Sequence, residues 1–190
     1  MGAGMGLIDI QFPFLFIEEL GWDEEEYRLL KGGLITLATL LGVLTGGELG
    51  RRFGIKNVLW WGIIVGASLT TLWSLGRSQW DDSSVMTLVW ILWTFNWGIV
   101  GNNVIALLMS LTESDLGGTQ FSLYMTLINV GALSATLLSP RIVEAIGGNY
   151  PNLFLIGAVL QFCLLFPLSK IRGAITSSPD LMLTSASESE

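Results

Sequence analysis

The sequence predicts an all-α membrane fold, a polytopic helical bundle with five full transmembrane helices and a truncated first one. Three observations carry that expectation. Hydrophobic residues make up 51% of the chain and charged ones 13%, with a mean hydropathy of +0.62, a balance that soluble domains do not show. Apolar runs recur at residues 34–49, 58–75, 85–111, 121–138 and 153–168, each near the roughly 20 residues that a bilayer core needs. Between the first two lies the clip Gly46-Gly47-Glu48-Leu49-Gly50-Arg51-Arg52-Phe53-Gly54-Ile55-Lys56. It reads as a tight membrane-surface loop, because its three cations are costly in hydrocarbon and basic residues collect on the cytoplasmic side.

The elements follow in order. Residues 5–20 are apolar but short for a span and carry Asp9, Gln11 and Pro13, so they read as the back half of a helix whose front is missing. A signal peptide is the competing reading, against which stand the lack of a basic start and of a small-residue cleavage site. The joints are short: acidic 22–26, basic 51–56, polar 77–84, polar 112–118 and 147–152. Spans joined so closely run antiparallel as neighbours. Residues 1–172 thus form one membrane bundle, and 173–190, rich in Ser, Thr and acid, form a disordered polar tail. Arg51, Arg52, Lys56, Lys170 and Arg172 against Arg28, Lys31, Arg77 and Arg141 put the clip and the C-terminus on the cytoplasmic side.

Within 85–111, Asn96, Asn103 and Ser110 recur every seven residues and fall on one narrow stripe of a helix. The next span repeats the pattern with Thr119, Ser122, Thr126, Asn129 and Thr136. Polar amides in lipid must face protein or water. Two uses fit: hydrogen bonds that glue helices, worth about 1 kcal/mol each, or the wall of a polar pathway. For the hydroxyls the two weigh equally, whereas for Asn96 and Asn103, beside Gly98 and Gly101, the pathway is favoured. The runs 58–75 and 153–168 are nearly uniformly apolar and read as outer, lipid-facing supports. Trp22, Trp60, Trp61, Trp73 and Trp80 sit at span ends, as interfacial anchors do, and Trp90, Trp93 and Trp97 read as packing residues.

Charges at membrane depth are few. Asp9 reads either as an exposed acid near the chain start or as a candidate proton carrier, since burial moves a carboxyl toward neutrality. Glu48 is expected to pair with Arg51 or Arg52, and Arg141 with Glu144 one helical step on. The net charge of −7 sits in loops and ends, so no nucleic-acid partner is expected. The chain has no histidine and one cysteine, Cys163, and no carboxylates cluster at midplane depth. No enzyme chemistry, metal or cofactor is therefore expected.

The clip resembles the signature loop that joins the second and third helices of each six-helix half in the major facilitator superfamily. Gly47, Leu49, Gly50, Arg52, Phe53, Gly54 and Lys56 match, while Arg51 stands where the superfamily usually has a latching acid. The stretches 106–111 and 118–123, Gly131, and 139–144 with its Val143-Glu144 are similar to the tenth and eleventh helices of AmpG-type muropeptide permeases. Phe14-Leu15-Phe16-Ile17 leading to Gly21-Trp22 is similar to the end of that family's seventh helix.

The resemblance spans about residues 5–170 and implies the C-terminal six-helix half of a twelve-helix transporter, cut inside helix seven. It implies a solute permease working by alternating access, with proton-coupled uptake of a muropeptide-like or other polar solute. Asn96, Asn103, Ser110, Thr126 and Asn129 would line its pathway, and Gly47, Gly50, Arg51, Arg52, Gly54 and Lys56 would form a gating loop. The partners expected are the lipid bilayer, a small polar solute, and a missing N-terminal half or a second copy. The alternatives are a non-transporting scaffold or assembly factor, marked by a polar stripe fully satisfied between helices, or a truncated non-functional fragment.

Overall fold

The computed structural model describes residues 2–112 and 117–171; the polar tail expected at 173–190 lies outside the described residues. No strand occurs among the described residues, and their helices group into six segments, with a π-helical turn at Phe14–Glu19 and a 3-10 turn at Arg77–Gln79 between them. We number them α1 (Gly2–Asp9), α2 (Glu24–Phe53), α3 (Ile55–Leu75), α4 (Ser83–Ser110), α5 (Gly117–Ala145) and α6 (Tyr150–Lys170). The last five are long and apolar enough to cross a bilayer, and the protein is an integral, multi-pass membrane protein.

Local chemistry sets the ends. Asp23 accepts from the backbone N–H of Glu25 and Glu26 at 2.9 and 3.1 Å and starts α2. Asp82 does the same for α4 through Ser84 and Val85, and Asn149 for α6 through Asn152, so each polar joint supplies an N-cap. The first segment is broken. α1 stops at Asp9, the residue whose carbonyl the ring of Pro13 would oppose four positions on, and the chain resumes as a π-helical turn over Phe14–Glu19.

The clip is not a loop. Helix α2 runs on through Arg51 and Arg52 to Phe53, and Gly54 alone leaves the helix, at φ +82°, before α3 begins at Ile55. Only glycine adopts that conformation without strain, so one residue makes the whole connection. Glu48 pairs with both Arg51, at 2.7 Å, and Arg52, and these i+3 and i+4 contacts suit a continuing helix. Among the described residues no ion pair joins Arg141 to Glu144.

The six segments form two interlocked triplets. α4 packs between α2 and α3 of the first triplet, α1 packs against α5 and α6 of the second, and α3 meets α6 where the triplets join. Glycines set the close approaches. Gly42, Gly46 and Gly50 of α2 lie against Phe95 and Gly98, Ile99, and Asn103 of α4, so these two helices run parallel. Gly62 and Gly66 of α3 lie against Val100 and Asn96, antiparallel. With no water between helices in lipid, such small-residue seams are what lets backbones attract each other.

Two expectations are overturned by this packing. α3, read as a lipid-facing support, is the most enclosed span, half of it buried, whereas α5 is the most exposed, with only Ala135 and Ser139 buried. α6 is likewise one-third enclosed and buries Gln161. Apolar uniformity hid the inward glycine face of α3. Trp73 and Trp80 are buried rather than interfacial: Trp80 Nε1 donates to Trp73 O at 2.9 Å, and Trp73 stacks on Phe154 with centroids 5.2 Å apart. They join Phe12, Phe16, Tyr27, Trp90 and Trp93 in one aromatic core beneath the broken first segment. Trp61, by contrast, is 69% exposed.

The glycine seam yields a first prediction. A Cβ at Gly46 would sit 2.8 Å from Ile99 Cα, so Gly46→Leu should lower stability by about 1–3 kcal/mol through overpacking. Leu44→Ala, on the exposed face of the same helix, should change it little. Thermal unfolding in detergent followed by circular dichroism distinguishes them, and equal midpoints would contradict the seam.

Candidate functional site

The polar residues of α4 are anchored to neighbouring backbones. Asn103 is 1% exposed, and its Nδ2 donates to Gly46 O across the α2 seam at 2.8 Å and to Ile99 O in its own helix at 2.9 Å. Asn96 is buried too, and its Nδ2 donates to Gly62 O of α3 at 3.0 Å. Each asparagine thus reaches a carbonyl that a glycine on the partner helix leaves uncovered. Ser110 is exposed at the end of α4 and donates to Leu107 O at 2.6 Å.

On α5, Thr126 and Asn129 are both exposed, and Thr126 Oγ1 donates back to Ser122 O at 2.8 Å. The two stripes do not converge. α4 and α5 barely touch, because α1 and the turn after it pack against both of their neighbourhoods. Gln11 Nε2 donates to Ser139 Oγ at 3.0 Å, and Ser139 donates to Leu7 O at 2.7 Å, which fastens the break in α1 to α5.

A charged site lies at that break. Asp9 Oδ1 stands 3.8 Å from Lys31 Nζ, with both side chains a little under half exposed. The Lys31 ammonium also lies 5.9 Å from the centre of the Tyr27 ring. Tyr27 is buried, stacked on Trp90 at 5.5 Å, and its hydroxyl has no partner. An ion pair beside an interrupted helix is the type of arrangement on which polar solutes or protons act in membranes.

Sequence reasoning missed Lys31 and Tyr27. The signal was present, since Lys31 precedes Gly32-Gly33 at the head of an apolar run, and the helix there loosens into a π turn. It also missed Thr70, whose hydroxyl accepts from Trp93 Nε1 and from Gln161 Nε2, each at 3.1 Å, and so ties α3 to α4 and α6.

The clip residues lie at the opposite end of the bundle. Gly47, Gly50, Arg51 and Gly54 line a small cavity of about 190 Å³ with Asn102 and Asn103. Lys56 donates to Ile171 O, bringing the start of α3 to the end of α6. Among the described residues no three His, Cys, Asp or Glu side chains come together as metal ligands would.

Comparison with known proteins gives two results. The family model described as Major Facilitator Superfamily matches residues 1–136. Two anhydromuropeptide permeases, from Escherichia coli strain K12 and from E. coli O157:H7, are each 30% identical to this chain over 145 residues. That region is 76% of this chain and 29% of each permease, so the chain spans under a third of the length of these curated relatives. No solved structure matches the chain.

The asparagine contacts can be weighed directly. Asn103→Ala removes the donor to Gly46 O and should cost about 1 kcal/mol, while Thr126→Ala, exposed and bonded only within its own helix, should cost nearly nothing. Unfolding in mixed micelles measures both, and equal losses would remove Asn103 from the helix contact.

Proposed function

The chain belongs to the major facilitator superfamily, and from that premise we propose that it is one wall of a solute permease working by alternating access. In this reading the solute is polar, of the muropeptide type, and its uptake is coupled to protons. In this superfamily each six-helix half is built from two inverted three-helix repeats, and the solute site lies near the midplane between the halves. The interlocked triplets fit that plan: α1 and α4 take equivalent places, each held between two helices of the other triplet. A counterpart, either an N-terminal half or a second copy, would supply the opposite wall.

The observation that carries the reading is the Asp9–Lys31 pair at the break in α1. Protonating Asp9 would free the Lys31 ammonium, and a carboxylate or hydroxyl of the solute would replace Asp9 as its partner. Thr126 and Asn129 offer exposed hydrogen-bonding groups on α5, and Ser110 offers another at the end of α4. Asn96 and Asn103 contribute to the pathway in this reading by fixing the wall from behind. The clip, with Arg51 and Arg52 joined through Glu48 and only Gly54 as a hinge, would act as the gate on the cytoplasmic side.

A second reading has its own support. The amides of Asn96 and Asn103 bond between helices, as a non-transporting scaffold or assembly factor would require.

Uptake in vesicles holding the transporting assembly separates the two. Asp9→Asn should abolish accumulation driven by a pH gradient while leaving solute exchange at equal pH largely intact. Unchanged accumulation would remove Asp9 from coupling, and absence of any transport by the wild-type assembly would favour the scaffold.

A further inference from the structure

We propose that the groove between the end of α2, the outer side of α3 and the middle of α4 holds an anionic phospholipid. One acyl chain would lie along the groove, and the phosphate would rest at the clip end of it, nearest Arg52, which adjoins Phe53 and follows Leu49 of the groove wall by three residues. The proposal is independent of the permease reading.

The groove has a volume of about 740 Å³, and its walls are almost wholly carbon, with Phe53, Val58, Trp61, Val65, Leu92 and Phe95 among them. Two polar side chains reach it, Asn57 and Asn96. The Nδ2 of Asn57 already donates to Phe53 O at 3.0 Å, and that of Asn96 to Gly62 O at 3.0 Å. Both amide nitrogens therefore have partners inside the protein, and the surface that remains suits an alkyl chain better than a polar solute.

Position points the same way. Leu92, Phe95, Asn96 and Ile99 lie on one side of α4, and Trp90 and Trp97, which belong to the aromatic core, lie on the other. The groove thus opens away from the bundle interior. At its lip Trp61 and Phe53 are 69% and 62% exposed, so in a bilayer this opening meets acyl chains.

Charge selects the lipid. Arg52 adjoins the groove's lip, Arg51 lines the small cavity with Asn102 and Asn103, and Lys56 lies at the end of α6, while Glu48 is the acid paired with the clip's arginines among the described residues. The two arginines share that single carboxylate, which leaves the clip net positive. No side chain caps α3, so its first backbone N–H groups add to the attraction for phosphate. Basic clusters beside membrane helices recruit anionic headgroups.

Native mass spectrometry of the full chain in detergent tests this, with phosphatidylglycerol and phosphatidylcholine carrying the same acyl chains as probes. Phosphatidylglycerol should bind about tenfold more tightly, and glycerol phosphate, which has the headgroup charge without chains, should not displace it. Val65→Trp, which fills the groove, should weaken phosphatidylglycerol about tenfold, and the double change Arg51→Gln with Arg52→Gln should bring the two lipids to similar affinity. Circular dichroism verifies that each variant is helical, and if neither folds the wild-type comparison decides. Equal retention of the two lipids, displacement by glycerol phosphate, or undiminished binding by folded Val65→Trp would each overturn the proposal.

Discussion

The structure depends on how closely α2 can approach α4. Apolar side chains gain nothing from leaving lipid for one another, so helices associate through close backbone contact and through hydrogen bonds that lipid cannot offer. Gly42, Gly46 and Gly50 provide the first, and Asn103, donating to Gly46 O, provides the second. The amide also needs the seam. Placed against lipid, its polar atoms would go unsatisfied, whereas against a bare glycine carbonyl they complete a bond.

The same device recurs further back along the same stripe of α4, where Gly62 and Gly66 of the neighbouring α3 receive Asn96. α4 is therefore held to two helices by asparagine and glycine, and this fixes where its remaining faces point. Trp90 and Trp93 turn toward Phe12 and support the break in α1. Leu92 and Phe95 turn outward and floor the lateral groove. The charged pair at Asp9 and the apolar groove are thus separate products of one packing arrangement, at different faces of the same bundle.

Much of the fold was legible because bilayer thickness imposes a length on every span, and the five apolar runs each became a helix. The clip was misjudged as a loop because arginine near a span end reads as an exit from the membrane, yet Glu48 neutralises part of that charge within the helix itself. The inner and outer helices were exchanged for a different reason. Polarity marks where water or an amide must be met, but it does not show which apolar surface is shallow. The four-residue glycine spacing in α2 and α3 carried that information. The spacing of Asn96 and Asn103 marked a stripe that must meet polar partners, and what it could not reveal was that those partners are backbone carbonyls of glycines on α2 and α3. Lys31 was counted as a loop cation because Arg28 and the acids of 23–26 lie so close before it.

The account stands on the parallel contact of α2 with α4, and cysteine cross-linking in native membranes measures it most directly. A Cβ at Gly47 lies 3.5 Å from the side-chain nitrogen of Asn102. In a Cys163→Ser background, Gly47→Cys with Asn102→Cys should form a disulfide readily under mild oxidation, and Gly47→Cys with Thr126→Cys should not. Failure of the first pair to join, or joining of both pairs to the same extent, would contradict the arrangement.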